Sequence, residues 1–284
     1  MSYVKKPEWT ARKREPASRS GDERPSGSED AQLQSQDGFY KRSPVLKRAV
    51  LHFNGKAGSA GVPVSAVIFD LDGTLLDTKE IYYDIIHIVF EKLGFPLVRR
   101  EVLVEAAAEG EFNWDRVLPA GLTLRKEEVL LEVRAILEAI SPPLFRQRTK
   151  LIAGADEILK SLHGAGSRIG VVTSSRIKHL GMKMHAIEKT GVAELFDAII
   201  TPDDVQMKKP SPEPLYECAR RLGVAPGECV YVGDMRVDIK AGKSAGMKTV
   251  GVLTGFEDYD LLENEHPDLI LDTVASLKNY FTFP

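Results

Sequence analysis

An unbroken apolar run at Ala66-Val67-Ile68-Phe69 stands apart from the mixed patterns around it. Its short length predicts a strand buried on both faces, as in a parallel sheet covered by helices. It stops at Asp70, and Gly73 then lets the backbone turn sharply. Downstream, Ile81, Ile85, Ile86, Val89, Phe90 and Leu93 recur at helical spacing, and Gly94 is the expected stop. A second helix is expected over 101–109. A third carries Val129, Val133, Ile136, Leu137 and Ile140 on one face and is expected to end at Pro142-Pro143. The pattern then changes: a helix with Ile158, Leu159 and Leu162 leads into a strand at 168–172, closed by Thr173-Ser174-Ser175. Short strands are predicted at 198–200, 229–232, 249–252 and 269–271, with a helix at 215–222 before the second of them. Such alternation implies parallel strands joined by right-handed crossovers. The expected fold is therefore α/β, a doubly wound, Rossmann-like parallel sheet with a small inserted α-helical domain. On this division 64–80 and 149–284 form the core and 81–148 the insert.

Residues 1–60 lack apolar periodicity and mix Ser, Gly, Pro and Gln with charges of both signs. Such a segment buries too little to offset its ordering entropy, so a disordered N-terminal tail is expected. Lys5, Lys6, Arg12, Lys13 and Arg14 would suit an organellar transit peptide, but Asp22, Glu23, Glu29 and Asp30 do not. A solvated tail is preferred. Val50, Leu51 and Phe53 form a short apolar patch suited to packing on the core edge.

Composition narrows the partners. A formal net charge of −3 offers no basic field for nucleic acid, and no apolar run approaches a membrane span of roughly 20 residues. Cys218 and Cys229 are too few for a disulfide framework and too far apart for a CxxC site, which points to reduced core thiols and a cytoplasmic protein.

Four polar clusters sit at or near the ends of predicted strands. They are Asp70 with Asp72, Thr173-Ser174, Lys208-Lys209-Pro210 and Gly233-Asp234 with Asp238. Each has an ordinary alternative: an acidic turn, a helix N-cap, a solvated loop lysine, a charged helix face. Their shared placement is what independent alternatives do not predict, because parallel strands end on one side and there bring such groups to one crevice. Four carboxylates without clustered histidines favour a hard, oxygen-bound cation such as Mg²⁺ over zinc. Asp70 is then placed to attack phosphorus and Asp72 to exchange protons with the leaving oxygen and with water. Lys209 and the Thr173 hydroxyl are suited to holding phosphate oxygens, with Ser174 beside them.

These motifs resemble those of the haloacid dehalogenase-like hydrolase superfamily, in the branch with a helical cap after the first strand and turn, which implies that the α-helical insert at 81–148 is a cap domain. The phosphoglycolate-phosphatase-like and pyrophosphatase-like members are most similar. The resemblance spans about 64–275 and rests on Asp70-Leu71-Asp72-Gly73-Thr74, Thr173, Lys209-Pro210 and Gly233-Asp234 with Asp238, all in family order. It implies Asp70 as nucleophile, Asp72 as acid/base, and Mg²⁺ held by Asp70, Asp234 and the Asp72 carbonyl, with Asp238 in support. It further implies a Mg-dependent phosphatase acting on a small phosphorylated metabolite, a phosphoglycolate-like monoester, through an aspartyl-phosphate. A pyrophosphatase or phosphomutase is the alternative, and Thr74 leans toward the hydrolases. Met235 and Arg236 stand where smaller or polar residues are usual.

Other assignments fare worse. Gly242-Lys243-Ser244 looks like the end of a P-loop, but the required upstream glycine falls on Val237. A receiver domain would lack the helical insertion and has no need of an acid/base two residues after its aspartate. A non-catalytic binding protein on this fold is less expected because the whole polar set is present. The connection at 109–116 is polar and holds Gly110, so it can dip toward the site. Arg116 or Arg125 would suit a substrate carboxylate, although both are slightly better read as solvated surface charges.

Overall fold

In the computed structural model, which describes residues 49–51, 61–122 and 125–282, the apolar run at 66–69 is a completely buried strand. In chain order the strands are β1 (Ala49–Leu51), β2 (Val62–Val64), β3 (Ala66–Phe69), β4 (Leu76–Asp77), β5 (Lys150–Leu151), β6 (Arg168–Val172), β7 (Ala198–Ile200), β8 (Cys229–Gly233), β9 (Lys248–Val252), β10 (Leu269–Leu271) and β11 (Phe281–Thr282). The helices are α1 (Lys79–Lys92), α2 (Arg100–Ala107), α3 (Lys126–Arg148), α4 (Ala155–Gly164), α5 (Ile177–Glu188), α6 (Glu213–Leu222), α7 (Arg236–Ser244) and α8 (Tyr259–Glu263). Six strands make one parallel sheet in the order β10-β9-β8-β3-β6-β7. The chain moves outward from β3 to β7, returns to β8 on the other flank of β3, and moves outward again. That reversal opens a crevice at the carboxyl ends of β3 and β8.

The period of two along each strand divides its side chains between two apolar layers. Val67 and Phe69 join Ile158, Leu159, Leu180 and Ile187 of α4 and α5 on one face. Ala66 and Ile68 join Leu215, Cys218 and Ala241 of α6 and α7 on the other. Phe69 is fully buried, worth about 1.5–3 kcal/mol relative to exposure. Gly170 of β6 leaves room for this layer, since a Cβ there would sit 2.5 Å from Cys218 Sγ.

Helices α1 to α3 pack on one another around Tyr83, Val89, Phe90, Leu103, Val129 and Val133. The two stretches that link them to the sheet pair as β4 and β5, with Leu76 opposite Leu151. The expected helix end at Pro142-Pro143 is corrected: α3 continues through both prolines to Arg148. An interior proline costs a helix about 3 kcal/mol or more. The turn beyond the prolines carries Phe145, which is buried with Ile81 and Ile85 and meets the Tyr82 ring edge-on at 5.1 Å. Tertiary packing thus carries the helix past its local breakers.

β1 lies between β11 and β2 in an antiparallel three-stranded sheet. Ala49–Leu51 are therefore part of the ordered fold, although they lie within the stretch expected to form a tail. The remainder of 1–60 lies outside the described residues, as does Phe53.

Candidate active site

Asp70 directly follows β3, and its N–H donates to the Val232 carbonyl of β8 at 2.8 Å, which fixes it at the crevice. Asp234 follows β8, and Asp238 sits one helical turn further on in α7. Oxygens from Asp70, Asp234 and Asp238 all lie within 4.8 Å of one another. All three side chains are buried. Gly73, at φ +83°, allows this approach, since a Cβ there would come within 2.5 Å of Asp234 Oδ2. Asp234 accepts hydrogen bonds from Thr74 Oγ1 at 3.0 Å and from the Phe256 N–H at 3.0 Å.

Lys209 brings its ammonium into this cluster. Its Nζ donates to Asp70 Oδ1 and Asp238 Oδ1, both at 2.6 Å, and to the Tyr231 hydroxyl at 3.1 Å. Tyr231 in turn donates to Asp238 Oδ1 at 2.9 Å, and Asp238 Oδ2 accepts from the Met235 N–H at 3.1 Å. The peptide bond between Lys209 and Pro210 is cis. Burial raises the Asp70 carboxyl to about 7; Lys209 opposes this, and Asp238 and Asp72 add to it. Burial also pushes Asp234 well above the usual carboxylate range, with Asp70 and Asp238 reinforcing it. For Lys209, burial acts downward, but Asp238 and Asp70 outweigh it and hold the ammonium well above its ordinary value. One lysine among three buried carboxylates leaves an excess of negative charge, and a hard cation coordinated by those oxygens would relieve it.

The Asp72 carboxylate does not join the cluster. Its Oδ2 accepts from Lys183 Nζ at 2.7 Å and from Ser175 Oγ at 3.1 Å. Its Oδ1 is buried and has no hydrogen-bond partner. Lys183 is itself buried. Burial alone would lower its pKa, but Asp72 and Tyr82 reverse that and hold it above the lysine range. Thr173 directly follows β6; its N–H donates to the Ile200 carbonyl, and its hydroxyl accepts from the Ser175 N–H at 3.1 Å. Thr173, Ser174, Lys208 and Lys209 line one small cavity, with Ser174 exposed. The structure thus brings Asp70, Asp234, Asp238 and Lys209 into one cluster, with Thr173 and Ser174 beside Lys209 and the Asp72 carboxylate turned to Lys183 and Ser175.

The helical insert reaches the same place. A Cβ on Gly110 would lie 2.6 Å from the Lys209 carbonyl oxygen, and Glu111 pairs with Lys208. Arg236 spans the gap: its Nε donates to buried Glu257 at 2.8 Å and its Nη2 to Glu105 of α2 at 3.0 Å. Arg116 pairs with Glu105 at 3.9 Å and Glu109 at 3.5 Å, and Arg125 with Glu128 at 3.2 Å, as surface charges do.

Sequence reasoning missed Lys183, Ser175, Tyr231 and Glu257. For Lys183 a signal existed. Leu180, Met184 and Ile187 are the apolar stripe of α5, and position 183 falls on that stripe. A lysine on a buried helix face needs a partner.

Three comparisons bear on this geometry. The haloacid dehalogenase-like hydrolase family model matches residues 67–252. A phosphoglycolate phosphatase of Salmonella paratyphi A is 30% identical over 234 residues, covering 75% of this chain and 91% of that protein. The pyrophosphatase PpaX of Bacillus velezensis is 32% identical over 225 residues, covering 75% and 94%. Among solved structures, a predicted phosphoglycolate phosphatase from Haemophilus somnus superposes with a TM-score of 0.66 at 22% identity, covering 76% of this chain and 96% of that one.

Proposed function

Because the chain belongs to the haloacid dehalogenase-like hydrolase family and is a phosphatase of that kind, we propose that it hydrolyses a small phosphorylated metabolite, a phosphoglycolate-like monoester, with Mg²⁺ as cofactor. The observation that carries this reading is the Asp70–Lys209 pair at 2.6 Å, set among Asp234 and Asp238, with Asp72 two residues along the same turn. The relatives named phosphoglycolate phosphatase and pyrophosphatase support the substrate class. The helical stretch 81–148 acts as the cap on a core formed by 64–80 and 149–284.

In this reading Asp70, Asp234 and Asp238 would hold Mg²⁺, with Asp72 contributing its backbone carbonyl. When bound, the cation would supply charge neutralisation favouring the ionised form of Asp70 and of the phosphoryl oxygens. The free oxygen of Asp70 attacks phosphorus and forms an aspartyl-phosphate as the bond to the leaving oxygen breaks. Asp72 protonates that oxygen, then takes a proton from the water that cleaves the acyl phosphate. Lys209 and Thr173, with Ser174 at the rim, bind the phosphoryl oxygens where transition-state charge spreads. Glu111 and Arg236 link cap and core beside the crevice. The two cysteines, both buried and free, fit a reducing cytoplasmic compartment.

The experiment is a phosphate-release screen over phosphoglycolate, pyrophosphate, sugar phosphates and an aryl phosphate, with Mg²⁺ and with EDTA. Turnover with Mg²⁺ that EDTA abolishes, strongest on a small carboxylated monoester, is the expected result. Strongest turnover on pyrophosphate reassigns the substrate. Isomerised sugar phosphate without release makes the protein a mutase, and metal-independent turnover removes the proposed site.

A further inference from the structure

Lys183 lies outside the four motifs, yet it is the most heavily engaged amine near them apart from Lys209. Its Nζ donates to Asp72 Oδ2 at 2.7 Å, to Ser175 Oγ at 2.7 Å and to the Tyr82 hydroxyl at 2.5 Å. Those are all three donors an ammonium has. The charge sits 4.9 Å from the Tyr82 ring centroid and 4.8 Å from that of Phe145, a cradle of two aromatic rings. Its side chain is only 2% exposed. An amine so placed has one set geometry.

The consequence falls on Asp72. Its two oxygens are made unequal: Oδ2 takes hydrogen bonds from Lys183 and Ser175, and Oδ1 is buried with none. A buried carboxylate oxygen left without a partner in a native fold calls for an explanation. We propose that Lys183 is a positioning residue that pins Asp72 by Oδ2, so that Oδ1 alone is presented to the leaving oxygen and later to water. This rests on the acid/base role given to Asp72 above. Without Lys183, Ser175 is the remaining hydrogen-bond donor to Oδ2, and no ion pair resists rotation of the carboxylate about its Cβ–Cγ bond.

Tyr82 lies in α1 and Phe145 in α3, near the two ends of the helical insert. The clamp on Asp72 is therefore built partly from the cap, and the orientation of the carboxylate depends on the cap's seating against α5.

The test compares Lys183→Met, which keeps the length and removes the charge and donors, with Lys183→Gln, which restores an N–H donor. Each is assayed on an alkyl phosphate and an aryl phosphate, with quenched-flow trapping of the phosphoenzyme. For the methionine variant kcat on the alkyl substrate should fall about 10²-fold with KM within threefold, because an alkoxide needs its proton as the bond breaks. Its phosphorylation by the aryl substrate should stay within threefold of wild type, and the acyl phosphate should accumulate. The glutamine variant should recover about tenfold of the alkyl rate. Equal losses on both substrates, no loss, or failure of both variants to reach the wild-type near-UV circular dichroism would overturn the proposal and make Lys183 structural. A wild-type protein that forms no phosphoenzyme would instead overturn the function, and the positioning role with it.

Discussion

Lys209 Nζ and Asp70 Oδ1 meet at 2.6 Å although they are far apart in sequence, one in a proline-rich loop and the other at the end of β3. Both side chains are under a tenth exposed, at 4% and 8%. The same ammonium holds Asp238, so its removal leaves two carboxylates facing each other. Lys209→Met is expected to lower kcat by at least about 10²-fold, the size of effect seen when one transition-state donor is lost. Steady-state kinetics on an aryl phosphate checks this, and a loss below tenfold would detach Lys209 from the phosphoryl group.

The parallel sheet was legible because β3, β6 and β8 are short apolar runs ending in polar residues, and burial on both faces requires that composition. Their convergence was legible for the same reason, since parallel strands end on one side. The end of α3 was not, because Phe145 packs against Tyr82 from far along the chain and outweighs two local prolines. Nor was the β1–β11 pairing, in which residues near opposite ends of the sequence meet. No local window holds either contact. Lys183 was concealed differently: no helix was read over 177–188, and its partner Asp72 was already fully accounted for by its motif.

Protonation and the proposed metal binding would compete in this cluster. Burial first, then Asp238 and Asp72, hold the Asp70 carboxyl near 7 against the opposing pull of Lys209, where an unfolded chain gives about 3.8. Between those values the folded protein binds more protons than the unfolded one, so this group makes stability fall as pH rises from about 4 to 7. A cation binds only the deprotonated carboxylates. Millimolar Mg²⁺ should therefore raise Tm at pH 8 by roughly 5–10 °C, as expected for a ligand near a hundred times its Kd, and by much less at pH 5. Differential scanning fluorimetry at the two pH values reads the difference. Equal shifts at both would show that the carboxylates do not bind the cation.

The N-terminal stretch divides at β1. Residues 1–45 carry no motif residue, so their deletion should leave kcat/KM within threefold of the full chain. Deletion through residue 55 also removes the strand between β2 and β11. That should cost about 1–2 kcal/mol, or roughly 2–8 °C in Tm, with activity at 25 °C largely kept. A loss of kcat/KM beyond tenfold in the shorter deletion would place part of 1–45 on the cap or the site.

Gly110 tests how closely the insert must approach. Its φ of +85° disfavours any L side chain, and a Cβ would press on the Lys209 carbonyl at 2.6 Å. Gly110→Ala should push the loop from the Lys209 loop and lower kcat/KM about tenfold, and the backbone strain, about 1–3 kcal/mol, should lower Tm by several degrees. An unchanged kcat/KM would mean the loop does not take part in closure.

The two aspartates of the opening turn have different surroundings, which make the tasks proposed for them separable. Asp70 sits in the carboxylate cluster beside Lys209, whereas Asp72 turns away to Lys183 and Ser175. Asp70→Asn should abolish turnover and phosphoenzyme with every substrate, because the amide that replaces the carboxylate is not a nucleophile toward phosphorus. Asp72→Ala should damage the two half-reactions unequally. With an alkyl phosphate the first step loses its proton donor and should slow about 10²–10⁴-fold. With an aryl phosphate the leaving group departs without much protonation, so Asp70 is still phosphorylated. Hydrolysis of that intermediate needs a base whatever the substrate was, so it should remain slow and the acyl phosphate should build up. Intact-mass measurement would show the added phosphoryl group, and hydroxylamine would remove it. If Asp72→Ala instead loses both substrates equally and traps nothing, Asp72 acts before the chemistry, in holding the site together, and the proton must come from elsewhere.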